Sequence, residues 1–237
     1  MKASRTSATQ DNPATTSSTS SPTSSAAVLP IINYIESEIS SLYVAAETSD
    51  IDEAPPIFSP KAYLEIYTRV HEYDIATRAQ DNGVADKHLH RWLDSRIRYY
   101  CTSMRKRIFD SHGNKTDVTN SSFFRTLLTT YMSCYRKFCR LATLVGNLLR
   151  SWTRHGLRRE KGENTYVASV EEMHQIAWRQ EVLGNYARGP SPKDGLKELK
   201  NAIAVLVEAD PEEGEEDPAL VKDVVKSLAV LGIKVEI

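Results

Sequence analysis

The chain has 237 residues, of which 41% are hydrophobic and 26% charged, and its formal net charge is −1. This size and composition are typical of one globular domain, or of one domain and part of another. No run of about 18 apolar residues occurs, so we expect no membrane contact. Cys101, Cys134 and Cys139 form an odd set without a secretory signal, which favours free, mostly buried thiols in a reducing compartment, and hence a cytoplasmic and/or nuclear location.

The small net charge conceals three segments of opposite sign. Residues 1–86 contain 5 Lys and Arg against 12 Asp and Glu, residues 87–161 contain 17 against 4, and residues 162–237 contain 8 against 15. So basic a segment can bind nucleic acid. We favour a helix face that pairs with the acidic flanks, because no zinc-finger spacing, RNP-like aromatic motif or Gly-rich clamp accompanies these residues. A basic nucleic-acid-binding protein, or another helical interaction protein, is the alternative.

The N-terminal residues 1–27 are rich in Ser and Thr and poor in apolar residues, which predicts a disordered tail. The rest of the chain lacks a sustained period-2 pattern. Apolar residues recur instead at steps of three and four, which predicts helices over about 29–46, 60–77 and 84–110. The segment SDIDEAPPIFSP separates the first two helices, and QDNG ends the second.

The fourth predicted helix is much longer and runs from Ser122 to about Arg154. At 1.5 Å per residue, its length of about 33 residues gives a rod of about 50 Å. Such a length is typical of a coiled coil or a helical repeat. We favour a helical repeat, because the apolar stripe is wide, includes large aromatic residues and does not follow strict heptads.

Three further helices are predicted over about 165–184, 191–209 and 218–231, the last two separated by the acidic segment ADPEEGEEDP. The predicted fold class is therefore all-α. We expect residues 28–187 to form a unit of five helices, and residues 188–237 to begin another set.

The second helix contains the run SPKAYLEIYTRVHEY, which is similar to the second helix of a cullin N-terminal repeat. The matching residues are Tyr63, Leu64, Glu65, Tyr67, Thr68, Val70 and Tyr73. His71 departs from that pattern, because a tyrosine is usual at this position.

Three later segments strengthen the resemblance. VGNLLRSWTRHGLRRE resembles the end of the fourth cullin helix, with an extra HG before its paired arginines. Its matching residues are Leu148, Leu149, Trp152, Arg158 and Arg159. IAWR at 176–179 resembles the Trp-Arg of the fifth helix, and VVKSLAVLGI resembles the helix that ends in Leu-Gly near the start of the second repeat.

The resemblance covers about residues 28–232 and implies a cullin-repeat-like unit of five helices with a very long fourth helix, followed by an incomplete second repeat. It implies a non-catalytic scaffold in a ubiquitin ligase, acting in ubiquitin-dependent protein catabolism. The RING-binding region of the family has no counterpart in this sequence, so we do not expect a RING subunit to bind this chain.

In the cullin family, the second and fifth helices bind a BTB-fold (Skp-type) adaptor. By resemblance, the adaptor-facing residues on the second helix are Tyr63, Leu64, Tyr67 and His71. Those on the fifth helix are Val170, Met173 and His174. Ile66, Val70 and Tyr73 would then point inward. On the residues alone, the tyrosine row fits either the protein's own core or a partner-binding surface.

We find no sequence pattern that predicts catalysis. No Ser, Cys or Thr nucleophile lies in a recognisable setting, and HLH at 88–90 places two imidazoles on different faces of a helix. We therefore expect no catalytic residue, no metal and no cofactor.

Overall fold

The computed structural model describes residues 25–49, 58–80, 84–110, 121–159, 168–184, 194–208 and 217–235. These residues form the helices α1 (Ser25–Thr48), α2 (Pro60–Gln80), α3 (Val84–Phe109), α4 (Ser121–Leu148), α5 (Arg150–Arg159), α6 (Val170–Ala177), α7 (Gly195–Glu208) and α8 (Asp217–Val230). A π-helical turn over Trp178–Val182 continues α6. No β-strand occurs in these ranges, and the all-α prediction is confirmed.

The first three helices agree closely with their predicted positions. Helix α2 begins at Pro60, which is favourable in a first turn because its missing N–H needs no partner there. The hydroxyl of Ser59 accepts a hydrogen bond from the N–H of Ala62 at 3.2 Å and so caps the helix. Helix α1 begins at Ser25, slightly inside the predicted tail, whose residues 1–24 lie outside the described part.

Helix α4 is the centre of the fold, and half of its 28 residues are buried. It packs against α1, α2, α3, α6, α7 and α8. Around it lies an aromatic cluster in which the rings of Phe138 and Trp178 have centroids 4.4 Å apart. Tyr131 and Tyr135 stack beside them, and both also contact Trp178. Burial of such large rings is the main contribution to the stability of this core.

The last two helices belong to the same core. Buried residues of α7 and α8 join the cluster formed by the other helices. On α8, the hydroxyl of Ser227 lies 3.1 Å from that of Tyr131, and Asp223 forms an ion pair of 2.6 Å with Arg136 of α4. Helices α7 and α8, which make up most of the described part of 188–237, therefore pack directly on α4.

The long fourth helix is not a single uninterrupted rod. The structure ends α4 at Leu148 and begins α5 at Arg150. Backbone hydrogen bonds bridge this interruption, because Leu149 donates to the carbonyl of Val145 at 3.0 Å and accepts from Thr153 at 2.9 Å. Gly146, one turn earlier, lowers the helix propensity locally.

The predicted fifth helix is shorter than expected and changes type. Ser169 and Glu172 form a reciprocal capping box, which starts α6 at Val170. After Ala177 the chain takes the wider π form. At its end, the guanidinium of Arg105 donates to the carbonyls of Glu181 and Gly184 at 3.2 and 2.9 Å. These bonds satisfy carbonyls that have no partner within a helix.

Candidate functional site

Helix α2 has an inward face that forms part of the core. Ile66, Val70 and Tyr73 on this face are fully buried, as predicted. They recur at steps of four and three, which places them on one side of the helix.

The opposite face of α2 carries an exposed row of large side chains, Leu64, Tyr67, His71 and Ile75, which we call the exposed α2 row. Leu64 is 62% exposed, Tyr67 40% and Ile75 53%. Steps of three, four and four place the row along one face of the helix. Single exposed hydrophobic residues are ordinary, whereas several along one helix face are typical of an interaction surface.

The exposed α2 row differs from the predicted set at two residues. Tyr63 is half-buried and packs against the core, so it lies at the edge of the exposed α2 row. Ile75 was not predicted, although it follows His71 by one helical turn. The helical period could have found it in the segment EYDIAT.

His71 connects the exposed α2 row with the interior. Its Nδ1 lies 3.3 Å from the hydroxyl oxygen of Ser151 on α5. Ser151 in turn donates a hydrogen bond of 3.3 Å to a carboxylate oxygen of Asp74, which is buried. A polar chain therefore leads from the surface of α2 into its contact with α5.

The three residues predicted on the fifth helix do not lie on a surface. Val170, Met173 and His174 are all buried, because this face of α6 packs against α3 and α4. While the protein is folded they cannot contact a partner, and we remove them from the candidate site. The exposed side chains of α6 are instead Glu171 and Gln175.

His174 is a core histidine whose two ring nitrogens both have partners. Nδ1 lies 2.7 Å from the carbonyl oxygen of Val170, and Nε2 lies 2.7 Å from the hydroxyl of Tyr43. A carbonyl only accepts, so Nδ1 carries the proton and Nε2 accepts from the tyrosine. Burial lowers the pKa of His174 to about 4, because the charged imidazolium would be deprived of water.

The structure does not bring the two predicted halves of the site together in one surface. Helix α2 packs mainly against α1, α4 and α5, whereas α6 packs against α3, α4 and the π-helical turn. The candidate site is therefore the exposed α2 row with Tyr63 at its edge.

Many cations of the basic segment serve the packing of the bundle. Arg98 forms ion pairs with Asp94 and Glu181 at 2.9 and 2.7 Å. Lys137 and Arg107 donate to carbonyls at the end of α1, where the helix dipole is negative. Among the described residues, the cations with such internal partners include Arg96, Arg98, Arg105, Arg107, Arg136 and Lys137.

Other chemistry is not apparent among the residues that the structure describes. They include no group of three His, Cys, Asp or Glu side chains that could hold a metal ion. None of the described helices is long and apolar enough to cross a bilayer. All three cysteines are free, with Cys101 and Cys134 buried and Cys139 exposed.

No protein-family model, no curated protein and no solved structure matches this chain.

Proposed function

We propose that this chain is the adaptor-binding N-terminal part of a cullin-like ubiquitin-ligase scaffold, acting in ubiquitin-dependent protein catabolism in the cytoplasm and/or nucleus. Its role is non-catalytic, and its partner is a BTB-fold adaptor of the Skp type. The proposal combines the sequence resemblance with one structural observation. The residues of the matching run divide into a buried face and the exposed α2 row.

The chemistry of the exposed α2 row suits a protein partner. Tyr67 offers a large contact area with few rotatable bonds, and its hydroxyl stays accessible to polar groups. Leu64 and Ile75 add apolar area on either side. Aromatic and aliphatic side chains near the centre of an interface usually contribute most of its binding free energy.

The proposal is tested with the double variant Leu64→Ala with Tyr67→Ala. We expect its affinity for a recombinant Skp-type adaptor to fall about thirtyfold or more, since loss of an interface anchor costs about 2 kcal/mol. The free energy of unfolding should change little, because both side chains are exposed. Titration calorimetry and denaturant unfolding measure the two quantities.

The chain offers a matched control on other helices. Tyr99 of α3 is 61% exposed and Leu29 of α1 is 56% exposed, so each resembles its counterpart in type and exposure. The double variant Leu29→Ala with Tyr99→Ala should bind the adaptor like the unaltered protein. Equal losses in the two double variants, or no loss in the first, would contradict the proposal.

A further inference from the structure

His71 is the one polar member of the exposed α2 row, and the contact between α2 and α5 restrains its ring. The imidazole is exposed, but its Nδ1 lies 3.3 Å from the hydroxyl oxygen of Ser151. Ser151 and Asp74, the next two groups in the polar chain, are both buried.

The protons available to His71, Ser151 and Asp74 fix the direction of each hydrogen bond between them. A serine hydroxyl has a single proton. Ser151 donates it to Asp74, across 3.3 Å. Towards His71, the oxygen of Ser151 can therefore only accept, so Nδ1 of the imidazole must carry the proton. In a neutral imidazole the other nitrogen, Nε2, is then an acceptor.

We propose that Ser151 and Asp74 hold His71 in the Nδ1–H form and thereby present Nε2 as a hydrogen-bond acceptor within the exposed α2 row. The partner that covers this row must place a hydrogen-bond donor opposite His71, such as a hydroxyl, an amide N–H or a basic side chain. This inference rests on the proposed function, because it specifies the chemistry of the partner at the same surface.

The surroundings of Nε2 make this acceptor a determinant of specificity. Among the described residues, this nitrogen has no hydrogen-bond partner in the free protein, and water can satisfy it while the row is exposed. A partner that removes the water without supplying a donor leaves a buried acceptor unsatisfied, which weakens binding. Leu64 and Tyr67 thus provide apolar and aromatic contact area. Among partners that could pack on this area, His71 selects those that place a hydrogen-bond donor opposite Nε2.

The protonation of the ring is tested by long-range ¹H–¹⁵N NMR on the full chain at mildly alkaline pH, where free imidazole side chains are neutral. We expect His71 to show a protonated Nδ1 and an unprotonated Nε2. Ser151→Ala should return the ring to a mixture of the two forms, and Ser151→Thr, which keeps the hydroxyl, should preserve the single form. A protonated Nε2 in the unaltered protein would overturn the inference, and this spectrum decides even if Ser151→Ala does not fold.

The partner's donor is tested by binding to a recombinant Skp-type adaptor. His71→Phe keeps a flat ring but has no acceptor, so we expect about a fivefold loss of affinity, the effect of one ordinary hydrogen bond. His71→Gln retains an acceptor oxygen and should bind more tightly than His71→Phe. Unchanged affinity in His71→Phe would overturn the inference while leaving the proposed function intact. If the unaltered protein does not bind the adaptor, the proposed function fails, and the NMR spectrum still decides how the ring is held.

Discussion

The exposed α2 row and the buried face of α6 both combine apolar side chains with a histidine on one side of a helix, yet their surroundings are opposite. Each includes a histidine that contacts a hydroxyl group, His71 with Ser151 and His174 with Tyr43. His71 lies at the surface, whereas His174 is fully buried. Helical spacing therefore identifies the residues that share a face, but the packing of the other helices decides which face is covered.

The difference follows from how each helix divides its large side chains. Helix α2 has them on two faces, and Ile66, Val70 and Tyr73 occupy the core. The side chains of the exposed α2 row then remain in contact with solvent. On α6, the buried apolar residues and His174 share a single face, and the remaining positions include Glu171, Gln175 and the partly buried Ile176. A helix with only one apolar face buries that face.

The largest expected contrast between the two regions is in stability. Met173→Ala should lower the free energy of unfolding by about 2–5 kcal/mol, because it removes a buried side chain and leaves a cavity. Leu64→Ala removes a mostly exposed side chain and should have an effect within about 0.5 kcal/mol. Urea unfolding of the two variants measures both values. Similar losses in both would show that the exposed α2 row is not a surface.

A second contrast concerns the pH dependence of stability. The pKa of His174 is lowered to about 4 in the folded protein, so the unfolded chain binds more protons between that value and the ordinary pKa of about 6.5. The contribution of neutral His174 to the free energy of unfolding is fully present above about pH 6.5 and is lost as the pH falls towards 4. At about 1.4 kcal/mol per pKa unit, the free energy of unfolding falls by about 3 kcal/mol in total through this group.

Comparison of the unaltered protein with a variant that lacks the imidazole isolates the contribution of His174 to the pH dependence of stability. His174→Gln removes the titration, so its free energy of unfolding should fall less steeply than that of the unaltered protein between pH 6.5 and 4. His71→Gln, at the surface, is the control in which the steeper fall should persist. Denaturant unfolding over this pH range measures the slopes, and parallel curves for His174→Gln and the unaltered protein would refute the account of His174.

The smallest expected effect concerns nucleic acid. We expect negligible binding to DNA or RNA at physiological salt, because several arginines of the basic segment bind carbonyls and carboxylates within the bundle. Fluorescence anisotropy with labelled duplex and single strands measures this. Sub-micromolar binding that weakens steeply with salt and is lost in Arg105→Ala with Arg107→Ala would favour the nucleic-acid alternative.

Apolar periodicity was enough to predict where helices form. It located the segments that are helical among the described residues, whereas the buried position of Ile66, Val70 and Tyr73 was expected only from the cullin resemblance. Helical segments depend on neighbours within a few turns of the same helix, which the sequence displays directly.

The remaining features depend on contacts between distant segments. Gly146 leaves room for the carboxylate of Glu171, since a β-carbon at this position would collide with it. This close approach of α6 to α4 is invisible to helical periodicity. The same holds for the π-helical turn, where Arg105 of α3 donates to the carbonyl of Glu181 and to that of Gly184 just beyond the turn, and for the hydrogen bond between His174 and Tyr43.

The most direct test of the central claim is site-specific photo-crosslinking to the adaptor from one position on each helix. A benzoylphenylalanine replaces Leu64 in the exposed α2 row or Gln175 on the exposed side of α6. We predict a crosslink to the Skp-type adaptor from position 64 and none from position 175. A crosslink from position 175 alone would contradict the assignment of the partner-binding surface to α2.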